Sequence, residues 1–338
     1  MSQLPLELSP ALPAVVAARL PVREVTCSTL LHRLSYGSST GYTANLYRGC
    51  THGCVYCYAP SLTHDERRWG TYVDVKINAP EVLLRELRGL RKDQVFLSSA
   101  SDPYQPVEAR YRITRGCLEL LLKYGFPVSI LTRSPLVLRD LGLLRRFDRV
   151  KVGMSITTVP VKKFEPGVPP LRRRIDTLKK LARAGIPTWV SLAPVVPGIM
   201  MVDLNGVFDE LNRAGVSQVS FSILRFTGYE ESKALFEEVA DMSTTAALEG
   251  KEDVVANLSE LVRRYGMEPS NDAKWTPGTS GGLTLDDFCD GPFGSPGICQ
   301  PPGRVGHRGY GNVGEECPQP DHEHGEEVSG RHPVGSDG

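Results

Sequence analysis

Three cysteines stand within eight positions in the stretch RGCTHGCVYCYAP (48–60): Cys50, Cys54 and Cys57, spaced C-x3-C-x2-C. The chain has eight cysteines in 338 residues, and no fourth lies near these three. Three chemistries suit such a group. Structural zinc takes four ligands, and His52 inside the motif or His64 just after it would complete a Cys3His set. Cys54 and Cys57 alone make the Cys-x-x-Cys of a thiol–disulfide redox pair, for which Cys50 is superfluous. A [4Fe–4S] cluster is held by thiolates; three of them ligate three irons and leave the fourth iron open to a small molecule. Gly49 and Gly53 permit the tight backbone path that wrapping one cube demands, and an aromatic residue, Tyr56, precedes the last cysteine.

A loop of this kind has to be carried by a scaffold. Strand-like runs at 42–47, 72–77, 95–101, 127–133, 150–157, 187–196 and 217–224 alternate with helical stretches. In APEVLLRELRGLR (79–91), Val82, Leu83, Leu87 and Leu90 share one helical face. The helices ending at Gly125 and Gly185 close on a glycine. The pattern amounts to six strand–helix units whose strands read as apolar throughout, as buried parallel strands are. An α/β fold follows, of the partial (β/α)6 TIM-like barrel type, with chemistry gathered at the C-terminal ends of the strands; a doubly wound open sheet fits the alternation alone equally well. The expected organisation is an N-terminal extension (1–35), a core (36–228), a helical extension (229–275) that includes a helix at about 251–266, and a tail (276–338). Of the 63 tail residues 23 are Gly or Pro, the composition of a low-order acidic segment.

Composition narrows the setting. Hydrophobic residues make up 41% of the chain, enough for a sizeable core, and no stretch approaches the roughly 20 apolar residues of a membrane span. The opening residues lack the basic start of a signal peptide and are broken by prolines. A cytoplasmic protein with reduced thiols is expected, and clustered cysteines there bind metal or do chemistry. Formal net charge is zero, yet residues 131–185 hold 14 Lys and Arg against 4 Asp and Glu, and residues 229–338 hold 8 against 21. The basic span suits either a nucleic-acid partner or ordinary solvated helix faces.

The stretches NLYRGCTHGCVYCYAP (45–60) and SASDPYQPVE (99–108) resemble the signatures of radical S-adenosylmethionine (radical SAM) enzymes, in the branch related to spore photoproduct lyase. The resemblance covers about residues 36–228. It implies a [4Fe–4S] cluster on Cys50, Cys54 and Cys57, with SAM chelating the open iron. One electron then cleaves the sulfonium to methionine and a 5′-deoxyadenosyl radical that abstracts hydrogen from a substrate. It further implies that Tyr56 lies beside the adenine, that Ser101 meets the SAM ammonium, and that Ser155 contacts the ribose. Arg133 falls where the lyase has a lysine for the SAM carboxylate, and arginine can fork a carboxylate. Reduced flavodoxin or ferredoxin is the implied electron donor.

Two catalytic positions are implied as well. Tyr58 matches a tyrosine of the radical relay. Ser99 stands where the lyase carries the cysteine that returns a hydrogen atom, and an O–H bond is too strong to give hydrogen to a carbon radical. Radical chemistry is therefore expected, but not that last step. Asp102, Tyr104, Gln105 and Glu108 follow at the mouth, with types that suit either substrate contacts or a turn. Cys117 reads as core. Alternatives are a nucleic-acid repair or modification lyase and a non-catalytic iron–sulfur or zinc protein. Cys289, Cys299 and Cys317, with His307, His322 and His324, carry only a weak sign of a second metal site.

Overall fold

Side chains alternate between the two faces of a strand, and in this chain the alternation separates an apolar core from a face that carries serines. The computed structural model describes residues 21–36, 39–63, 65–200, 203–226 and 230–269. The strands, in chain order, are β1 (Val22–Val25), β2 (Leu31–Tyr36), β3 (Ser39–Ala44), β4 (Tyr47–Arg48), β5 (Val73–Lys76), β6 (Val95–Leu97), β7 (Val128–Thr132), β8 (Val150–Ile156), β9 (Thr188–Val195), β10 (Gln218–Ile223) and β11 (Glu268–Pro269). The main sheet has the order β11-β10-β9-β8-β7-β6-β3-β2. From β3 through β11 every neighbouring pair is parallel, and only β2 runs antiparallel, as a hairpin with β3. Six long-connected parallel strands, β3 and β6 to β10, thus form the α/β partial barrel expected from the alternation.

Helices cover one face of this sheet because their apolar residues fall at helical spacing. Val82, Leu83 and Leu87 of the helix Ala79–Leu87, and Cys117, Leu118 and Leu121 of the helix Ile113–Tyr124, bury against Val95, Leu97, Val128 and Ile130. Further along, Ile175 and Leu178 of the helix Leu171–Arg183 and Val207, Phe208 and Leu211 of the helix Leu204–Arg213 join Met154, Ile156, Val190, Leu192, Val219 and Phe221. Cys117 lies in the core, as its sequence setting predicts.

The opposite face is not apolar, and the expectation of strands apolar throughout is corrected here. Register pairs Ser155 with Ser191 and Ser191 with Ser220 on three adjacent strands. These serines alternate with the core residues Met154, Val190 and Val219 and so line the other side. Two further boundaries differ. The first of the parallel strands in the main sheet is Ser39–Ala44, earlier than 42–47, because Tyr47 and Arg48 pair instead with β5. The run at 72–77 is extended, but β5 joins β1 and β4 in a separate three-stranded sheet. The stretch after β7 begins as a 3-10 helix, Pro135–Asp140, capped by the Ser134 hydroxyl accepting from the Leu136 amide, before one α-helical turn at Leu141–Leu144.

After β10 come the helices Glu230–Ala240, Thr244–Ala247 and Lys251–Arg264. Among the described residues no helix is long and apolar enough to cross a membrane. His64, the tail with Cys289, Cys299 and Cys317, and the tail histidines lie outside the described residues.

Candidate metal centre and active site

The cysteine loop leaves the main sheet after β3, passes through β4, and is held by backbone and side-chain contacts from three other segments. Gly49 (φ +80°) and Gly53 (φ +59°) take left-handed backbone that other residues rarely adopt. Gln105, fully buried, clamps the loop's first half: its amide nitrogen donates to the Gly49 carbonyl at 3.2 Å, and its carbonyl oxygen accepts from the Thr51 amide at 3.1 Å. The segment after β8 runs along the loop's other edge, with the Val55 amide donating to the Phe164 carbonyl at 3.1 Å and the Gly167 amide to the His52 carbonyl at 3.0 Å. Ser232, in the helix Glu230–Ala240, donates its hydroxyl to the Cys57 carbonyl at 2.5 Å. Phe236 of the same helix is fully buried, with ring centroids 5.5 Å from Phe164 and 5.4 Å from Phe226, in a cluster that includes Cys54, Val55 and Tyr56.

Cys50 and Cys54 are buried, Cys57 is half-buried, and all three are free thiols. Burial pushes each thiol up to about 12, with Asp102 adding to the effect at Cys50 and Cys54 adding to it at Cys57. Such thiols are neutral by themselves near pH 7 and need a cationic partner to ionise, which is the chemistry of a metal–thiolate site. Among the described residues no three His, Cys, Asp or Glu side chains converge as they would around a single ion. His52 faces elsewhere: it is buried, held below its ordinary value by that burial, and its Nδ1 lies 3.4 Å from Asp102 Oδ2. The loop's three free cysteines equal in number the thiolates that a cluster with one open iron takes, whereas a single zinc would require a fourth ligand such as His52, which lies against Asp102.

The other predicted residues surround this loop. Tyr58 donates its hydroxyl to the Ser99 carbonyl, so the two positions expected to be catalytic are in direct contact. The Ser99 hydroxyl accepts from Thr43 Oγ1 at 3.2 Å and from Asn45 Nδ2 at 3.3 Å. Ser101 donates to the Tyr47 carbonyl at 3.3 Å. Ser155, at the end of β8, is buried and its carbonyl accepts from Arg174 Nη1 at 2.9 Å. The Arg133 amide donates to Asp102 Oδ2 at 2.7 Å, and its Nε donates to Glu165 Oε1 at 3.2 Å. Tyr56 donates its phenol to the same Glu165 oxygen.

The four polar residues expected at the mouth are placed differently. Asp102, Tyr104, Gln105 and Glu108 are all buried. Asp102 accepts from the Tyr104 amide (2.8 Å) and the Thr132 hydroxyl (2.6 Å) as well as from Arg133. Glu108 accepts from the Tyr47 phenol, from the Thr114 amide at 2.9 Å and from Arg139 at 2.6 Å. Asp102, Gln105 and Glu108 brace the loop and the strand ends from within, and the hydrogen bonds just described engage their polar atoms there. The basic span divides likewise. Arg174 is fully buried, whereas Arg172, Arg173 and Lys180 of the same helix are exposed.

Comparison with known proteins bears on the same residues. The model of the Radical SAM superfamily matches residues 44–211, which include all three loop cysteines. An uncharacterized protein of Methanocaldococcus jannaschii is 35% identical over 168 residues, 48% of this chain; the match spans only 63% of that relative's length. An uncharacterized protein of the Acidianus two-tailed virus is 31% identical over 261 residues, 70% of this chain and 83% of the viral one. Among solved structures, spore photoproduct lyase with bound AdoMet and dinucleoside spore photoproduct has a TM-score of 0.55 at 17% identity, covering 73% of this chain and 81% of that chain. At that identity the likeness is one of fold.

Proposed function

Because the chain belongs to the radical SAM superfamily, we propose that it is an enzyme that holds a [4Fe–4S] cluster on Cys50, Cys54 and Cys57 and binds SAM beside it. When bound, this pair supplies the reductive cleavage of the sulfonium that yields methionine and a 5′-deoxyadenosyl radical for hydrogen abstraction. The observation that carries the reading is the three free thiols, two buried and one half-buried, on one braced loop. The residues around them have the polarity that SAM demands. Arg133 offers a guanidinium to a carboxylate, Ser101 a hydroxyl to an ammonium, and Ser155 a strand-end serine to a ribose. Tyr56 gives a ring to the adenine, and the bond from Tyr58 to the Ser99 carbonyl keeps together the two positions read as catalytic. The core that does this work is 36–228, and a reduced flavodoxin or ferredoxin is its electron donor.

The test is anaerobic. Protein reconstituted with iron and sulfide, then given dithionite and SAM, is expected to form 5′-deoxyadenosine, and Cys57→Ala to form none. A cluster or zinc that leaves SAM intact in the wild type would replace this reading with that of a non-catalytic metal protein.

A second reading concerns the substrate: a nucleic acid, undergoing repair or modification. It is supported by the exposed Arg172, Arg173 and Lys180 on the outer face of Leu171–Arg183 and by the dinucleoside held in the similar lyase fold. Binding to single- or double-stranded DNA should then weaken steeply between 50 and 200 mM salt, roughly by 10-fold or more for each few phosphates contacted. No binding at 50 mM salt would remove it.

A further inference from the structure

Glu165 is one of only four acidic residues among the 14 cations of residues 131–185, and it is fully buried. Its Oε1 accepts from the Tyr56 phenol and from Arg133 Nε at 3.2 Å. Its Oε2 accepts from Arg174 Nη2 at 2.6 Å. Arg174 is fully buried too; it donates through Nε to the Pro169 carbonyl at 3.0 Å and through Nη1 to the Ser155 carbonyl at 2.9 Å. One carboxylate therefore touches two of the residues read as SAM contacts and reaches a third through a single arginine.

The guanidinium of Arg133 shows what this arrangement accomplishes. An arginine has five N–H donors in a rigid fork. Here Nε is taken by Glu165 and the main-chain amide by Asp102, so the side chain is fixed at its root and its middle. Its two terminal nitrogens have no hydrogen-bond or ion-pair partner among the described residues, and the side chain keeps 23% exposure. Two guanidiniums share the Glu165 carboxylate, and the Asp102 carboxylate lies against the Arg133 backbone.

We propose that Glu165 is the positioning residue of the SAM site: its carboxylate locks Tyr56, Arg133 and, through Arg174, Ser155 into one arrangement, and reserves the two terminal nitrogens of Arg133 for the carboxylate of the ligand. The proposal rests on the reading that SAM binds at this loop. Burial alone would raise the Glu165 carboxyl, but Arg174 and Arg133 hold it below the ordinary carboxylate value, so it acts as an anion. Neither a cluster nor SAM is touched by Glu165 in this scheme.

The experiment is equilibrium binding of SAM to anaerobically reconstituted protein, with iron content and thermal melting recorded for every variant. Glu165→Gln keeps the size and one acceptor but loses the charge. It should weaken SAM about 10- to 100-fold, the range seen when a partner that orients a ligating group is removed, with iron content unchanged. Arg133→Lys keeps the cation but not the planar fork and should weaken SAM similarly. The double variant should lose less than the product of the two single losses, because Glu165 acts in part through Arg133.

A wild type that fails to bind SAM refutes the functional reading itself. A wild type that binds, with Glu165→Gln within twofold of it, overturns the positioning role, as do losses that simply multiply in the double variant. Where Glu165→Gln does not melt cooperatively, Arg133→Lys decides, and SAM affinity within twofold of wild type overturns the proposal.

Discussion

Adding a single methyl group at Gly167 probes how closely the segment after β8 is applied to the cysteine loop. A Cβ built there would meet the Thr51 carbonyl oxygen, and would lie 2.9 Å from His52 Cα and 3.0 Å from the Thr51 carbonyl carbon. All three are backbone atoms of the loop and cannot rotate away. Ordinary carbon–carbon contact is about 3.5–4.0 Å, so the two chains must part by roughly half an ångström to an ångström. That movement strains the 3.0 Å Gly167–His52 bond and its neighbour from Val55 to Phe164. Overpacking costs about 1–3 kcal/mol and a weakened hydrogen bond about 0.5–1.5, so Gly167→Ala should cost about 1.5–4.5 kcal/mol. For a domain of this size the midpoint should fall by about 3–18 °C. The assay is thermal melting of the metal-free protein, followed by iron per chain after reconstitution, which should drop as the loop is displaced. Gly142→Ala is the control: nothing lies within 4 Å of its Cβ, and alanine in place of glycine in a helix is neutral or mildly stabilising. Full stability and full iron content in Gly167→Ala would refute the close apposition on which the account of the loop rests.

Phe236→Ala should cost about 3–5 kcal/mol as a core aromatic deletion and lower iron retention, although the residue lies 179 positions after Cys57 in the chain; urea unfolding and iron assay check both. Gln105→Ala leaves the Gly49 carbonyl and the Thr51 amide without their partner, which should cost about 2–4 kcal/mol and slow cluster assembly followed by absorbance. Acid should destabilise the protein through Glu165 and Asp140. Burial alone would raise both carboxyls, but Arg174 and Arg133 at one and Arg139 and Arg115 at the other hold them below their ordinary values of 4.5 and 3.8. Their contribution is therefore complete above those values and is lost as the pH falls through and below them. The urea midpoint should drop steeply below about pH 4.5, and Asp140→Asn should flatten that drop; an unchanged slope would contradict the assignment.

Much of the scaffold is legible because burial writes itself into periodicity. The runs at 95–101, 127–133, 150–157, 187–196 and 217–224 each contain an observed parallel strand, and the glycines at 125 and 185 do adopt left-handed backbone (φ +68° and +78°) after their helices. Extension is local, however, and partners are not. Nothing in YVDVKI distinguishes β5 in a side sheet from a strand of the main one, and the bulk of Tyr42, Val150 and Trp189 masks the small residues that line the second face. At the site, spacing identifies the loop cysteines, but Asp102, Gln105 and Glu108 look like surface polar residues until their buried partners are seen. Glu165, Arg174 and Gly167 fall in a proline-rich stretch that reads as a connection. A lone acid flanked by lysines and arginines was the available signal, and charge patterning by itself does not say that it points inward.

The loop's last brace comes from far down the chain: Ser232 bonds to Cys57 across 175 residues, and Phe164, Gly167 and Gln105 arrive before it. On a ribosome adding about 5–20 residues per second, the cysteines emerge roughly 10–35 s before the helix that completes their enclosure. During that interval the three thiols are open to solvent, oxidants and stray metal, whereas in the finished fold Cys50 and Cys54 are buried and Cys57 is half-buried. Cluster loading then has a natural order in time. Iron delivered before residue 240 has been synthesised meets an unfinished cradle, and delivery after it meets a loop whose thiols must be reached from outside.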